Sequence, residues 1–339
     1  MAVLLRTTFV SSAETWSPQA QALIEKAFGG IDSALKMDYH VHVVGVGAGG
    51  TGCFVHPDYQ SLLHPIKYTK FSAYLSASGV RSSTDADQAF LAKLVERIGT
   101  LPMPGKYLAL PLDMFYDSDG RALPEKTEFY VPDAYVFDVV RRYPQYFIPA
   151  ISVHPRRKDA LAALEEGFRQ GAKVVKWLPS TMGINPSDPA TEPFYRKMSA
   201  LGLVLLSHGG EEQAVEAEDQ LFGNPLLLRE PLDKGVKVIV AHCASLGMGA
   251  NLDHPGRLPV KNFDLFLRLM AEKKYEGRLF GEISAITQSN RGTEPLNVLL
   301  KRTDLHPRLV YGSDYPIPGV NLLIRLRPMV KKGFISNEE

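Results

Sequence analysis

The chain has 339 residues, of which 45% are hydrophobic and 22% are charged. These proportions are those of an ordinary soluble globular protein, so a sizeable buried core is expected. With 38 basic and 37 acidic residues the formal net charge is only +1. No overall charge therefore favours nucleic acid or an anionic membrane as a partner.

Cysteine content and the N-terminus bear on the compartment. Cys53 and Cys243 are too few for a disulfide framework and suit a reducing environment. No basic leader precedes the first apolar residues, and no apolar run approaches the roughly 18 residues of a membrane span. We therefore expect a cytoplasmic protein that does not insert into a membrane.

Short apolar runs alternate with amphipathic stretches from residue 37 onward, which is typical of strands alternating with helices. The predicted strands are Lys36–Val44, Tyr107–Leu112, Phe147–Val153, Ala172–Leu178, Val204–Ser207, Val236–Ala241, Arg278–Ile283 and Leu309–Tyr311. The predicted helices between them are Asp85–Ile98, Asp133–Arg142, Lys158–Gln170, Glu192–Leu201, Phe263–Lys273 and Glu294–Arg302. This alternation implies parallel strands joined by crossover helices.

Eight such units predict a closed (β/α)8 barrel, the TIM-barrel fold, over residues 37–339. Residues 1–36 are predicted to form a preamble that packs on the barrel, with a helix at Gln19–Phe28. Long segments follow several strands, at Val44–Tyr68, Asp113–Pro132, Pro179–Pro189 and His242–Pro259. Loops of this kind belong at the C-terminal face, where the active sites of these barrels form.

A His-x-His pair ends the first predicted strand. Because side chains alternate along a strand, His40 and His42 should share the face toward the lumen, with Tyr39 pointing away. Two imidazoles at a strand end are able to bind one metal ion. Such a pair also occurs by chance on surfaces, so alone it predicts little.

Further polar residues stand where other apolar strands end. His208 ends strand five, His242 ends strand six, and Asp314 follows strand eight. Burying an imidazole or a carboxylate beside such strands costs several kcal/mol unless the group is paired or metal-bound. Each could singly be a satisfied histidine or a capping aspartate, but five such residues at C-terminal strand ends indicate one site.

With Lys176 on strand four, this set resembles the amidohydrolase superfamily, particularly the branch of small hydrolases and decarboxylases called amidohydrolase-2. The resemblance runs from about Met37 to Pro316. It implies a first divalent metal held by His40, His42 and Asp314. Lys176 stands where some members carry a carboxylated lysine that bridges two metals, although an unmodified ammonium is an equal alternative.

In two-metal members His208 and His242 hold the second ion. In single-metal members the strand-five histidine binds the lone metal and the strand-six histidine assists catalysis. Zinc is the favoured metal for histidine and aspartate ligands, while manganese and iron tolerate the same set. The resemblance therefore implies one or two divalent ions.

A bound divalent cation lowers the pKa of water to about 7 and polarises a carbonyl group. Asp314 would act as general base and then acid, with His242 assisting. We therefore predict hydrolysis of an ester, lactone or amide in a small, carboxylate-bearing substrate. A decarboxylase of an aromatic or unsaturated acid is the alternative, and a deaminase or a non-catalytic metal-binding barrel are lesser ones. Homo-oligomerisation is left open.

Three further residues are candidates for the site. Glu211, in His208-Gly209-Gly210-Glu211, resembles the His-Ala-Gly-Glu motif of adenosine deaminases and is a candidate acid or base. A first-turn glutamate favoured by a helix dipole is its structural alternative. Arg257 and Arg291, in predicted mouth loops, are candidates to hold a substrate carboxylate, with Arg257 preferred.

Overall fold

The computed structural model describes residues 17–80, 84–101, 103, 105–319 and 323–336. Its centre is a parallel sheet of eight strands, each paired with the next along the chain. These are β1 (Met37–His42), β2 (Lys106–Leu110), β3 (Phe147–Ile151), β4 (Val174–Trp177), β5 (Val204–His208), β6 (Lys237–Ala241), β7 (Leu279–Glu282) and β8 (Leu309–Val310). The N–H of Tyr39 donates to Tyr311 O at 2.9 Å, which joins the last strand to the first. The predicted (β/α)8 barrel is confirmed.

Helices precede the barrel, join its strands and follow it. They are α1 (Pro18–Phe28), α2 (Pro65–Ala77), α3 (Ala86–Gly99), α4 (Asp133–Arg142), α5 (Ala160–Arg169), α6 (Pro179–Met182), α7 (Glu192–Leu201), α8 (Arg229–Asp233), α9 (Asn262–Met270), α10 (Glu294–Lys301) and α11 (Leu326–Lys331). The helices α4 and α7 have the predicted bounds. The end of α7 is set by Gly202, whose left-handed backbone (φ 67°) suits glycine and lets its N–H close the last turn.

Two short antiparallel pairs lie outside the barrel. Phe54–Val55 pairs with Phe129–Tyr130, and Met248–Ala250 pairs with Pro259–Lys261. Both pairs belong to segments that follow barrel strands, so they add structure to the long loops at the C-terminal face.

Side chains of the strands divide between two apolar layers. Outward-facing Trp177 is fully buried and stacks on Phe194 of α7, with ring centroids 5.4 Å apart. Inward-facing residues such as Leu206 and Ile239 fill the lumen, as in other closed barrels. The expectation for Tyr39 was wrong, because its ring packs against the lumen residues. The pairing register of β1 shifts between Asp38 and Val41, which breaks the simple alternation of faces.

The N-terminal preamble is described only from residue 17. Helix α1 has no buried residue, while Lys36 Nζ donates to Met103 O at 2.7 Å. The division at residue 36 stays a prediction. Within the described residues, the helices are all too short or too polar to cross a bilayer.

Candidate active site

Two histidines of β1 and an aspartate after β8 bring their polar atoms to one point at the C-terminal end of the barrel. The Nε2 atoms of His40 and His42 are 3.2 Å apart. Asp314 Oδ1 is 3.5 Å from the first nitrogen and 3.3 Å from the second. Electron-rich atoms at these distances repel one another unless a proton or a cation lies among them. The arrangement therefore suits a cation.

Main-chain hydrogen bonds hold these residues in place. The N–H of Asp314 donates to His40 O at 2.8 Å. The Asp38 carboxylate accepts hydrogen bonds from the N–H groups of His40 and Ser313, each at 3.0 Å. Burial raises the pKa of Asp38 to about 6, although these donors lower it. Asp38 thus fastens the first strand to the last beside the cluster.

Glu282, at the end of β7, holds two of the histidines. Its Oε2 is 2.8 Å from His40 Nδ1 and accepts the backbone N–H of His242 at 3.3 Å. Ser284 Oγ donates to the same oxygen at 2.8 Å. Burial raises the pKa of Glu282 to about 7. By accepting Nδ1–H, this group fixes the tautomer of His40 that presents the Nε2 lone pair to the cluster.

Hydrogen-bond acceptors also orient the rings of His242 and His208. His242 Nδ1 is 3.2 Å from the carbonyl oxygen of Ser284, and His208 Nδ1 is 3.3 Å from Glu212 Oε2. The His242 ring lies 5.1 Å from that of His40 and 5.0 Å from that of His208, centroid to centroid. Burial lowers the pKa of His40 and of His242 well below the usual value, which keeps both rings neutral. Neutral imidazole is the form that binds a metal.

Lys176 lies beneath this group of histidines. Its side chain points into the lumen from β4 and is 1% exposed. Its Nζ is 3.2 Å from His40 Nε2. Burial lowers the pKa of Lys176 to about 8, against the opposing influence of Asp314, Glu282 and Glu212. Within the described residues, no carboxylate oxygen lies within 4.0 Å of this amine.

The backbone at the strand ends adopts conformations that residues with side chains rarely use. The φ angles of His242 and Asp314 are 57° and 59°, in the left-handed region. Gly312 is required for a different reason. A Cβ there would lie 2.7 Å from the Cβ of His40 and would also collide with the Glu282 carboxylate. Strained backbone and close packing of this kind are often found at functional sites.

These residues fit a divalent cation. His40, His242 and Asp314 each offer one ligand atom within 4.8 Å of the others. His208 Nε2 is buried and has no hydrogen-bond partner in the described part of the chain, which would be costly for a histidine that served structure alone. Imidazole nitrogens with a carboxylate oxygen are a ligand set used for zinc, manganese and iron.

A cavity of about 410 Å³ opens from the cluster. Helix α2, which follows β1, lies along it and is tied to the segment after β5. Lys70 Nζ donates to Gln213 O at 3.0 Å, and the Tyr74 hydroxyl donates to Ala214 O. Most of the wall is apolar and includes Val43, Val46, Phe71, Leu75, Phe90, Leu112, Phe129, Val131 and Leu178. The cavity therefore suits a ligand with an apolar body.

Two nitrogen-bearing side chains after β7 interrupt this apolar wall. Arg291 lines the cavity and donates from Nη1 to Ser245 Oγ at 3.1 Å, while its buried Nε has no partner among the described residues. Burial lowers the pKa of Arg291, although nearby carboxylates raise it. Gln288 also lines the cavity, and within the ranges that the structure describes its buried amide nitrogen has no partner.

The sequence-predicted residues are not all brought together. Six of them lie together and form the cluster, namely His40, His42, Lys176, His208, His242 and Asp314. Arg291 and Glu211 line the cavity, and Glu211 Oε1 accepts a hydrogen bond from Gln213 Nε2 at 3.0 Å. Arg257 does not line it. It is exposed in the segment between the paired strands Met248–Ala250 and Pro259–Lys261, which carries it away from the mouth.

Sequence reasoning missed several polar residues of the site, among them Glu212 and Gln288. Glu212, not its neighbour Glu211, is the buried carboxylate beside His208, and it also accepts the N–H of Val215 at 3.1 Å. The resemblance to a deaminase motif drew attention to Glu211, which lines the cavity, and not to its buried neighbour. Gln288 carries no motif, so only its place in the fold reveals it.

A closed barrel with imidazoles and a carboxylate at its C-terminal end defines a class of metal-dependent enzymes. A family model described as amidohydrolase matches residues 38–321, and the chain belongs to this family. No curated protein matches the chain in sequence.

Solved structures with a similar fold were found at low identity. They include 5-carboxyvanillate decarboxylase from Novosphingobium aromaticivorans, complexed with manganese and 4-hydroxy-3-methoxy-5-nitrobenzoic acid (14% identity, TM-score 0.47, covering 89% of this chain and 91% of that one). An amidohydrolase from Burkholderia multivorans with bound HEPES has 12% identity and a TM-score of 0.47, covering 90% and 94%. The 2,6-dihydroxybenzoate decarboxylase from Rhizobium has 12% identity and a TM-score of 0.39, covering 87% and 94%. Likeness at this level carries no information about the reaction.

Proposed function

We propose that this amidohydrolase-family protein is a metal-dependent hydrolase of an ester, lactone or amide in a small, carboxylate-bearing substrate. The observation that carries the proposal is the buried amine of Lys176, which lies beside four histidines and an aspartate. No carboxylate oxygen of the described residues lies within 4.0 Å of it. An isolated buried ammonium is expensive, so the amine needs either neutrality or a covalent change.

Reaction of Lys176 with carbon dioxide would meet this need. The unprotonated nitrogen attacks the carbon of carbon dioxide, an N–C bond forms, one C–O π pair moves to oxygen, and the nitrogen releases a proton. The depressed pKa of Lys176, about 8, leaves a useful unprotonated fraction near neutrality. The resulting carbamate would add anionic oxygens between the His40–His42–Asp314 group and the His208–His242 group. These residues would then hold two divalent ions, with zinc as first choice and manganese or iron as alternatives.

A bound divalent ion supplies a Lewis acid for the carbonyl and a more acidic water. The roles of the chain are proton transfer and positioning. The Asp314 carboxylate lines the cavity, so it is in position to accept the proton of the attacking water and return it to the leaving group. His242, fixed by Ser284, assists at the same face, and Arg291 holds the substrate carboxylate.

Decarboxylation is the second candidate, and Arg291 is the observation that favours it. Burial lowers the pKa of His208 and of His242, and the positive charge of the Arg291 guanidinium lowers both further. A carboxylate bound there would itself be at the reacting centre. In that reaction the bond between the carboxyl carbon and the substrate breaks, carbon dioxide leaves, and a proton from Asp314 takes its place. Deamination is not proposed, because Glu212 rather than Glu211 stands beside His208.

The test uses the full chain loaded with zinc, manganese or iron, and assays esters, lactones and amides against carbon dioxide release from aromatic acids. Hydrolysis should be lost by about 10²- to 10⁴-fold in Asp314→Asn, a replacement that tolerates a left-handed backbone. Metal analysis should give two ions per chain with bicarbonate and one in Lys176→Met. Carbon dioxide release without hydrolysis would replace the first candidate by the second. Neither reaction with any metal would overturn both.

A further inference from the structure

The segment after β7 presents to the cavity two buried N–H donors that find no acceptor among the residues the structure describes. These are the Gln288 amide nitrogen and Arg291 Nε. A buried donor without an acceptor is destabilising, and a ligand with acceptor atoms would remove that cost for both donors. The two residues stand three positions apart on a short turn that begins at Gln288. Both therefore belong to the same short stretch of the cavity wall.

The charge of Arg291 indicates what that ligand group is. Within the described part of the chain, no Asp or Glu oxygen comes within 4.0 Å of the guanidinium, whose one polar contact is Ser245 Oγ at 3.1 Å. A partly buried cation without an ion pair favours an anionic ligand. A guanidinium and an amide supply N–H donors of the kind that bind the two oxygens of a carboxylate.

The rest of the cavity wall indicates what kind of group the ligand carries away from its anionic group. Three aromatic rings line the same space, namely Phe71 of α2, Phe90 of α3 and Phe129. Besides the cluster and Arg291, the charged side chains of the described residues that line the cavity are Lys70, Glu211 and Glu212. The Lys70 amine already donates to Gln213 O at 3.0 Å, and the two carboxylates would repel a second anionic group on the ligand. A volume of about 410 Å³ accommodates a ring-sized body together with a short side chain.

We propose that Gln288 and Arg291 form a carboxylate subsite, and that the substrate is a monocarboxylic acid with a ring-sized apolar body directed toward Phe71, Phe90 and Phe129. This assignment rests on the proposed function only in that both place the substrate in the same cavity. It adds Gln288 as a specificity-determining residue, and it is tested by binding without turnover.

The experiment compares 3-phenylpropionate, its neutral amide 3-phenylpropionamide, and the dianion succinate by calorimetry on the metal-loaded full chain. The acid should bind at least tenfold more tightly than the amide, and succinate should bind more weakly than either. Arg291→Met and Gln288→Glu should each reduce acid affinity at least tenfold while amide affinity changes less than threefold. In Gln288→Glu the new carboxylate keeps the size of the side chain but competes for Arg291. The surface variant Gln170→Leu, whose amide pairs with Glu166, is the matched control.

A bound metal could also hold a carboxylate, so the titration is repeated after chelation. The preference for the acid should persist, because its donors belong to the chain. Equal binding of acid and amide, an acid preference unchanged in both variants, or loss of the preference on chelation would each overturn the subsite. Binding as expected in a protein that hydrolyses nothing would leave the subsite standing and reject only the reaction.

Discussion

Glu282 Oε2 lies 2.8 Å from His40 Nδ1, so a carboxylate from the seventh strand orients an imidazole from the first. Replacement by glutamine keeps the size of the side chain but removes the charge that holds Nδ1–H. Metal affinity of Glu282→Gln should fall about 10- to 100-fold, as measured by competition with a chromophoric chelator. An unchanged affinity would mean that the carboxylate serves folding alone.

The adjacent residues Glu211 and Glu212 allow a matched comparison. Glu212 is buried beside His208, whereas Glu211 is only partly buried and contacts Gln213. The variant Glu212→Gln should lose about tenfold or more in kcat/KM and bind metal less tightly. The variant Glu211→Gln should change both quantities less than threefold. The opposite ranking would restore Glu211 as the acid or base suggested by its motif.

His154 predicts a specific pH dependence of stability. Its Nε2–H donates to Met182 O at 3.0 Å and its Nδ1 accepts the N–H of Arg156 at 3.1 Å, so both nitrogens are engaged only in the neutral ring. Burial lowers the pKa of His154 to about 3. Between pH 3 and 6.5 the unfolded chain therefore binds more protons here, and the stabilisation is complete only above pH 6.5.

The measurement is denaturant unfolding of the native chain and of His154→Gln at pH 7 and pH 5. The free-energy difference between the two proteins should shrink by ~2 kcal/mol at the lower pH. A difference that stays constant would show that the ring titrates normally in the folded protein.

Lys67 ties helix α2 to the loops around it. Its Nζ is 3.1 Å from Glu128 Oε1 and 2.7 Å from Glu216 Oε2. In Lys67→Met we expect KM to rise about three- to tenfold with little change in kcat, since the wall of the cavity loosens while the cluster is untouched. Amide hydrogen exchange should become faster over residues 65–77. The control is Lys93→Met, which breaks the pair with Glu96 on the outer surface of α3.

The fold could be predicted closely because each layer leaves its own pattern in the sequence. The runs that became β4 to β6 are apolar on both faces, and glycines such as Gly202 end helices in the left-handed conformation. The register shift in β1 could not be predicted, since it depends on pairing with distant residues. Strict alternation therefore put Tyr39 on the wrong face.

Site residues at the ends of strands could be predicted from the sequence, whereas those in the loops could not. Strand ends converge in any closed barrel, so His208 and Asp314 could be placed together from their positions alone. The closed barrel does not fix the positions of loop residues in this way. Arg257 was preferred for its charge, yet a short antiparallel pair carries it outward. Gln288 has no charge to draw attention, yet it lines the cavity.

Residues 212–216 contact both helix α2, which lies along the cavity, and the His208 imidazole at the cluster. Glu212 steadies the His208 ring, while Gln213, Ala214 and Glu216 receive the polar groups of α2. A displacement of that helix would therefore be transmitted to one imidazole within a few residues. Entry of a bulky ligand and the orientation of His208 would then be coupled. A ligand that left α2 displaced would be bound next to a less well ordered imidazole.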